Sequence, residues 1–325
     1  MAASHQHLLP TIDQLIEQVK QRNARPMRTA IVHVTDHESL LGSIKAADEG
    51  IIEPIFVGPE HKLRLAAEKS AISLKGFRII TTEHSHAAAA AAVSLVRGGE
   101  ADSLMKGSLH TDELMEAVLA KEGGLRTGKR MSHVFLIDMS AALHSMPRTI
   151  IITDGAINIF PNLEDKVDIC QNAINLAHDL GVEKPYVAIL SAVETVGSKI
   201  PSTIEAAALC KMSERGQITG AILDGPLAFD NAISAEAAAL KNIRSPVSGR
   251  ADIMLAPDLE AANILAKILT FMEGAKTAGL VLGAKVPIIL TSRADSAENR
   301  LSSCALAAAT VYARVRTDKI DSYCT

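Results

Sequence analysis

Aromatic side chains make up only 3% of the 325 residues, and tryptophan is absent. A core must therefore be assembled from Ala, Leu, Ile and Val. They suffice, because 48% of the chain is hydrophobic and only 22% is charged. Cysteine is equally scarce. Cys170, Cys210, Cys304 and Cys324 form no CxxC pair and fit neither a disulfide framework nor a zinc site, so reduced, mostly buried thiols are expected. A formal net charge of -4 provides no basic field, which argues against a nucleic-acid partner and leaves anion binding to local groups of Arg and Lys. No run approaches the ~18 apolar residues of a membrane span. The opening Met-Ala-Ala-Ser-His-Gln-His lacks the charged and apolar regions of a secretory signal, so the expected compartment is the cytoplasm.

What the chain does have is alternation. Short β-branched or apolar runs at Ala30–Val34, Ile55–Val57, Phe77–Thr81 and Ser103–Met105 read as strands separated by helical patterns. Further strands are predicted at Val134–Ile137, Ile150–Thr153, Tyr186–Leu190, Ala221–Leu223, Ile253–Leu255, Leu280–Leu282 and Val286–Leu290, with helices such as Leu163–Leu180 and Leu259–Met272 between them. This pattern predicts an α/β protein with parallel sheets covered by helices. Between Met131 and Asp154 two apolar runs are joined by a short Ala-Leu-His-Ser-Met-Pro connection, which predicts an antiparallel pair and a domain boundary near residue 140. In open α/β sheets ligands sit beyond the carboxyl ends of strands, so the residues just after each run matter most.

After Ser103–Met105 come Lys106, Gly107 and Ser108, then Thr111 and Asp112, either of which could cap the next helix. Gly123 to Arg130 nearly matches the phosphate-loop pattern GxxxxGK[ST]. It ends in Arg130 instead of a hydroxyl, and it follows the helix Asp112–Lys121 instead of a strand, so nucleotide hydrolysis is excluded. Its cations Arg126, Lys129 and Arg130 remain either a solvated loop or an anchor for an anion. Asp154-Gly155 and Asp224-Gly225-Pro226 read as corners at strand ends. The segment Thr291-Ser292-Arg293-Ala294-Asp295-Ser296-Ala297-Glu298-Asn299 places a hydroxyl and a guanidinium at a strand tip, with Asp295 and Glu298 spaced as a capping box. A fixed Arg fork suits phosphate or a developing oxyanion.

From about Arg28 to Ala308 the sequence resembles the phosphate acetyltransferase and phosphate butyryltransferase family. The resemblance is densest at Met105-Lys106-Gly107, Gly124-Leu125-Arg126-Thr127-Gly128, Asp224 to Ala228, Ser245 to Asp252 and Leu290 to Ser296. The Lys-Gly and Thr-Ser-Arg-Ala-Asp-Ser wording looks like the butyryl-type branch; the acetyl-type pattern has a Ser where Lys106 stands. The resemblance implies two α/β/α domains of the isocitrate and isopropylmalate dehydrogenase kind with a cleft between them: residues 1–140 with 278–325, and residues 141–277. It implies transfer of a short acyl group between coenzyme A and phosphate, no tightly bound cofactor, no metal, and a homodimer.

In that family Arg293 matches the residue that binds acyl phosphate and stabilises its carbonyl oxygen, and Ser292 the one that meets the thiol or the intermediate. Lys106 and Arg126 would add positive charge, and Gly107, Thr111, Thr127, Asp154, Asp224, Gly225 and Pro226 are further candidate substrate contacts. Where the acetyl-type pattern has an Asp proposed as the base, this chain has Asn299, which cannot accept a proton at neutral pH. Asp295 is a candidate replacement, four residues away on a shared helix face, but capping competes for it. A thiol of pKa ~8.5 is already a few per cent thiolate without any base. The expected mechanism is direct attack of that thiolate on the acyl phosphate in a ternary complex. Two rivals are a dehydrogenase of the related fold, for which neither an aspartate cluster nor an early GxGxxG is present, and an acyl-CoA or phosphate-binding protein that has lost catalysis.

Overall fold

The computed structural model describes residues 8–22, 25–140, 148–292 and 294–323, side chains of 315–323 excepted. The chain opens with α1 (Ile12–Gln21), β1 (Met27–Val32), α2 (His37–Asp48), β2 (Ile52–Gly58), α3 (Glu60–Lys69), β3 (Arg78–Thr81), α4 (Ser85–Arg97), β4 (Ser103–Lys106) and α5 (Thr111–Leu119). It continues with β5 (Ser132–Asp138), β6 (Thr149–Thr153), α6 (Leu163–Asp179), β7 (Tyr186–Leu190), α7 (Pro201–Glu214), β8 (Ile222–Leu227), α8 (Phe229–Ile233), α9 (Ala235–Leu240), β9 (Ile253–Leu255) and α10 (Leu259–Phe271). It finishes with β10 (Lys276–Leu282), β11 (Ile288–Ile289) and α11 (Ala297–Tyr323).

Two compact units result. One comprises Ile12–Lys129 with Ala278–Thr325, the other Met1–Thr11 with Arg130–Thr277. The division falls at Lys129 and not near residue 140, because β5 is the antiparallel partner of β6, with Val134 opposite Thr153 and Asp138 opposite Thr149, and so belongs to the second unit. The connection between those strands, residues 141–147, lies outside the described residues.

In the first unit the strand order is β3-β2-β1-β4-β11-β10. β2, β1, β4 and β11 run parallel, whereas β10 and β11 form an antiparallel hairpin. The hairpin departs from the expected helix-covered alternation: only five residues separate the two strands, too few for a parallel crossover. β11 is also shorter than its apolar run, since Pro287 has no N–H for the ladder and contributes only its carbonyl, to Leu104 N–H at 3.3 Å. α1, α2, α3 and α11 pack as one group and α4 with α5 as another. The scarcity of aromatics shows in the packing. α4 turns Ala88, Ala89 and Ala92 inward, each fully buried, and such small residues let helix and sheet approach closely.

The second unit has the order β5-β6-β9-β7-β8. Ile150 and Ile152 of β6 join Met254 of β9 and Ala262, Ala266 and Leu269 of α10 in one apolar cluster, the period-2 consequence of strand geometry. β8 runs on through Leu227, so Asp224, Gly225 and Pro226 lie inside a strand and not at a corner after one. That strand is the sheet edge, where a proline's missing N–H costs no ladder bond. No helix among the described residues is long and apolar enough to cross a membrane.

Candidate active site

The order β2-β1-β4-β11 in the first unit reverses direction between β1 and β4: helical connections lead outward through β2 and β3, then the chain returns to the other side of β1. Such a switch point leaves a crevice at the carboxyl ends of the two strands. β1, β4 and β11 end there side by side, and α2, α5 and α11 begin there. Three helix amino ends, each with partial positive charge, favour an anion at this edge. Those of α2 and α11 are already occupied. Asp36 accepts from Ser39 N–H at 2.8 Å, Ser296 from Asn299 N–H at 3.2 Å, and Glu38 from Ala297 N–H at 2.8 Å. α5 opens at His110 with no side-chain cap bond, so neither Thr111 nor Asp112 caps it; Thr111 is its first helical residue.

The loop after β4 is held from within. Gly107 N–H donates to Val32 carbonyl at 2.9 Å and Ser108 N–H to His33 carbonyl at 2.8 Å. Lys106, which the sequence suggests as a ligand for substrate, is only 4% exposed, and its ammonium donates to the carbonyls of Gly107 and Leu109 at 3.3 and 3.2 Å. It braces the loop and supplies its charge from beneath. Ser108 Oγ accepts from Thr35 N–H at 2.8 Å and donates to Asp36 at 2.5 Å, joining the loops after β1 and β4. Burial works to raise the Asp36 carboxyl. Hydrogen bonds from Ser108 and Ser39, with the charge of Arg300, outweigh it and hold the carboxyl below the usual range.

At the tip of β11, Ser292 is bonded to Asp295 and Ala294. Ser292 N–H donates to the Asp295 carboxylate at 2.5 Å, Asp295 N–H returns to Ser292 carbonyl at 3.2 Å, and Ala294 N–H reaches Ser292 Oγ at 3.3 Å. Ser292 is exposed. Arg293 lies outside the described residues. The expected capping box is absent: Ser296 caps α11, Asp295 accepts from Ser292, and Glu298 is paired with Lys45 of α2. Because α11 starts at Ala297, Asp295 precedes the helix and does not share a helical face with Asn299. Asn299 is half-buried and makes no side-chain hydrogen bond among the described residues.

The sequence matches the family model described as Phosphate acetyl/butaryl transferase over residues 82–308. The chain belongs to this family. It is 59% identical over 287 residues to a protein of Rhizobium meliloti named phosphate acetyltransferase, covering 88% of this chain and 90% of that one. A Clostridium acetobutylicum protein named phosphate butyryltransferase is 40% identical over 302 residues, 93% and 98% of the two chains. Among solved structures, a branched-chain phosphotransacylase from Enterococcus faecalis superposes with a TM-score of 0.77 at 31% identity, covering 88% of this chain and 99% of that one. A putative 4-hydroxythreonine-4-phosphate dehydrogenase from Salmonella typhimurium shares the fold at 14% identity, with a TM-score of 0.52 over 88% of this chain and all of that one. The architecture is thus the dehydrogenase-like α/β fold in phosphotransacylase form.

Within this family member the other suggested residues belong to different elements. Arg126 bridges to Ala284 and Thr127 Oγ1 donates to Gly283 carbonyl at 2.6 Å, so both sit at the turn before β11, while Ser292 follows its far end. Arg126 and the neighbouring Lys129 and Lys285 are exposed and make no ion pair among the described residues. Arg130, by contrast, is committed to Asp165 at 3.1 Å and to Asn158 at 2.8 Å in the second unit, so the run of three cations is divided. Asp154 is 3% exposed, and its carboxylate accepts from the N–H groups of Ala156, Ile157 and Asn158 and from Asn158 Nδ2. Its role is a turn. Asp224 accepts from Gly225 N–H at 2.9 Å within β8.

Asp36, Ser108 and Arg300 were not among the residues the sequence nominated. Arg300 alone left a signal, since it shares the spacing of Cys304, Ala307 and Ala308 on the buried face of α11. No cluster of three His, Cys, Asp or Glu able to hold a metal occurs among the described residues.

Proposed function

We propose that this protein catalyses acyl-CoA + phosphate ⇌ acyl phosphate + CoA on short chains, acetyl and butyryl, in the cytoplasm, with coenzyme A and phosphate as substrates and no resident cofactor. The observation that carries this reading is that relatives named for these two reactions align along almost the whole chain, with Ser292 at the end of a strand beside the switch point. Two anions, a thiolate and an acyl phosphate, must be brought together and a tetrahedral oxyanion stabilised. Arg293 is assigned to the phosphate and the oxyanion, Ser292 to a hydrogen bond on the reacting group, and the uncapped amino end of α5, with Lys106 beneath, to the remaining negative charge.

Arg126 and Thr127, at the opposite end of β11, suit the phosphates of CoA, which lie a pantetheine arm away from its thiol. Burial pushes the thiols of Cys170, Cys210 and Cys304 up to about 12. None of them is then a nucleophile at neutral pH, which supports direct transfer. Asp295, whose carboxylate accepts from Ser292 N–H, is assigned a positioning role. CoA reacts through its own thiolate fraction, without Asn299 as base.

Mixing acetyl or butyryl phosphate with CoA should yield thioester, and mass spectrometry of the enzyme after acyl phosphate alone should find no acylated residue. A folded protein that forms no thioester from either donor would be a binding protein instead, and a trapped acyl-enzyme would replace direct attack by a two-step route.

Homodimerisation is proposed through α10. Its outward residues Ile264, Ile268 and Phe271, followed by Met272, are 58%, 44%, 67% and 78% exposed and recur at helical spacing. An antiparallel pair of α10 helices centred on Ile268 would set Ile264 of one copy against Met272 of the other, all three exposed. Light scattering should give twice the 34.4 kDa chain mass, and Ile268→Glu should halve it; an unchanged mass for the variant would exclude this face.

A further inference from the structure

Arg300 is 1% exposed, and among the described residues its guanidinium donates just after β11: to Thr291 Oγ1 at 2.5 Å and to Ser292 carbonyl at 3.0 Å. Taking a cation out of water is costly, and burial lowers the Arg300 pKa while the carboxylates of Asp36, Asp295 and Glu38 work to raise it. A leucine or methionine would fill the same space at no such cost. Its Nε finds no hydrogen-bond partner among the described residues. The packing around it is close: a Cβ on Gly42 of α2 would come within 2.6 Å of Arg300 Cβ. A charged fork is thus held in a fixed place, and what it gains there is control of two adjacent residues, the ones before Arg293.

We propose that Arg300 is a positioning residue for acyl transfer, setting from inside the unit where Ser292 meets the substrate. Asp36, bonded to Ser108, adds a favourable charge to Arg300 at longer range, without a direct bond between the two side chains. The loops after β1 and β4 are joined by Ser108 and Asp36, and Arg300 holds the segment after β11. Arg300 touches no substrate. It acts by fixing the backbone at Ser292, and a displacement of about 1 Å at a reacting group can cost roughly 100-fold in rate. This inference rests on the acyltransferase reading.

The test compares Arg300→Lys, which keeps the charge but cannot span both acceptors, with Thr291→Val, which keeps the shape and removes one acceptor. Arg300→Lys should lower kcat by roughly 100-fold and Thr291→Val by about 10-fold. KM for CoA should stay within about 3-fold in both, since Arg126 and Thr127, assigned to its phosphates, are untouched. Variants that unfold earlier on heating but turn over at the wild-type rate would show a structural arginine and overturn the proposal. Should Arg300→Lys fail to fold, Thr291→Val decides, and an unchanged kcat there is equally fatal. A wild-type protein without thioester-forming activity would remove the reading itself, a result visible before any variant is made.

Discussion

Arg293→Ala is expected to slow acyl transfer by about 100- to 1,000-fold, with thermal stability unchanged. The reaction moves charge onto a carbonyl oxygen while a phosphate leaves, and a planar fork with several donors serves both groups at once. Ser292 cannot take over, because a single hydroxyl offers one donor and no charge. Lys106 cannot either, since its ammonium is turned onto the carbonyls of Gly107 and Leu109. Arg293→Lys should fall between wild type and Ala, keeping the charge and losing the fork. Steady-state rates of thioester formation for the three proteins provide the measurement. Near-normal turnover by folded Arg293→Ala would remove Arg293 from the chemistry.

The second large effect is on folding. Gly107 lies where the loop after β4 presses on β1, and a Cβ there would stand 2.5 Å from Val32 carbonyl oxygen and 2.8 Å from that of His33. Both are backbone atoms, at the end of β1 and just after it, so neither can swing aside as a side-chain tip could. Gly107→Ala should therefore cost about 1–3 kcal/mol in overpacking and about 1 kcal/mol more as the Gly107–Val32 hydrogen bond stretches. The unfolding midpoint should fall by roughly 5–10 °C. Gly128→Ala is the control, since a Cβ there meets nothing within 4 Å. Equal midpoints for the two variants would mean that the loop gives way without strain.

The strands were legible because apolar period and turn chemistry agree along most of the chain; Tyr186–Leu190 and Ile253–Leu255 coincide with β7 and β9 to the residue. The hairpin of β10 and β11 was not legible as such, because two apolar runs five residues apart do not state which strand each will pair with. Asp224 to Pro226 were misplaced for a related reason: Asp-Gly-Pro spells a turn locally, yet an edge strand accommodates it. Ser292 stood out because a polar cluster after an apolar run marks a strand tip. The role of Asp295 did not, since one acidic residue near a helix start fits a cap as well as a turn, and only the bond to Ser292 N–H separates them. For Lys106 the sequence gives the charge and not its direction, and the bonds of its ammonium to the carbonyls of Gly107 and Leu109 appear only in the fold. Arg300 was passed over because an arginine on an alanine-rich helix reads as solvated until its register with Cys304 and Ala307 is followed inward.

The order of strands carries a consequence for synthesis. β11 and α11 are made after the whole second unit, yet they occupy the place beside β4 and against α2. A chain still being translated would thus hold β4 with an unpaired edge for more than half of its growth, a natural template for wrong partners. Until the closing segment emerges that edge of β4 is open, and a chain stalled before β11 would keep it open as a site for mispairing.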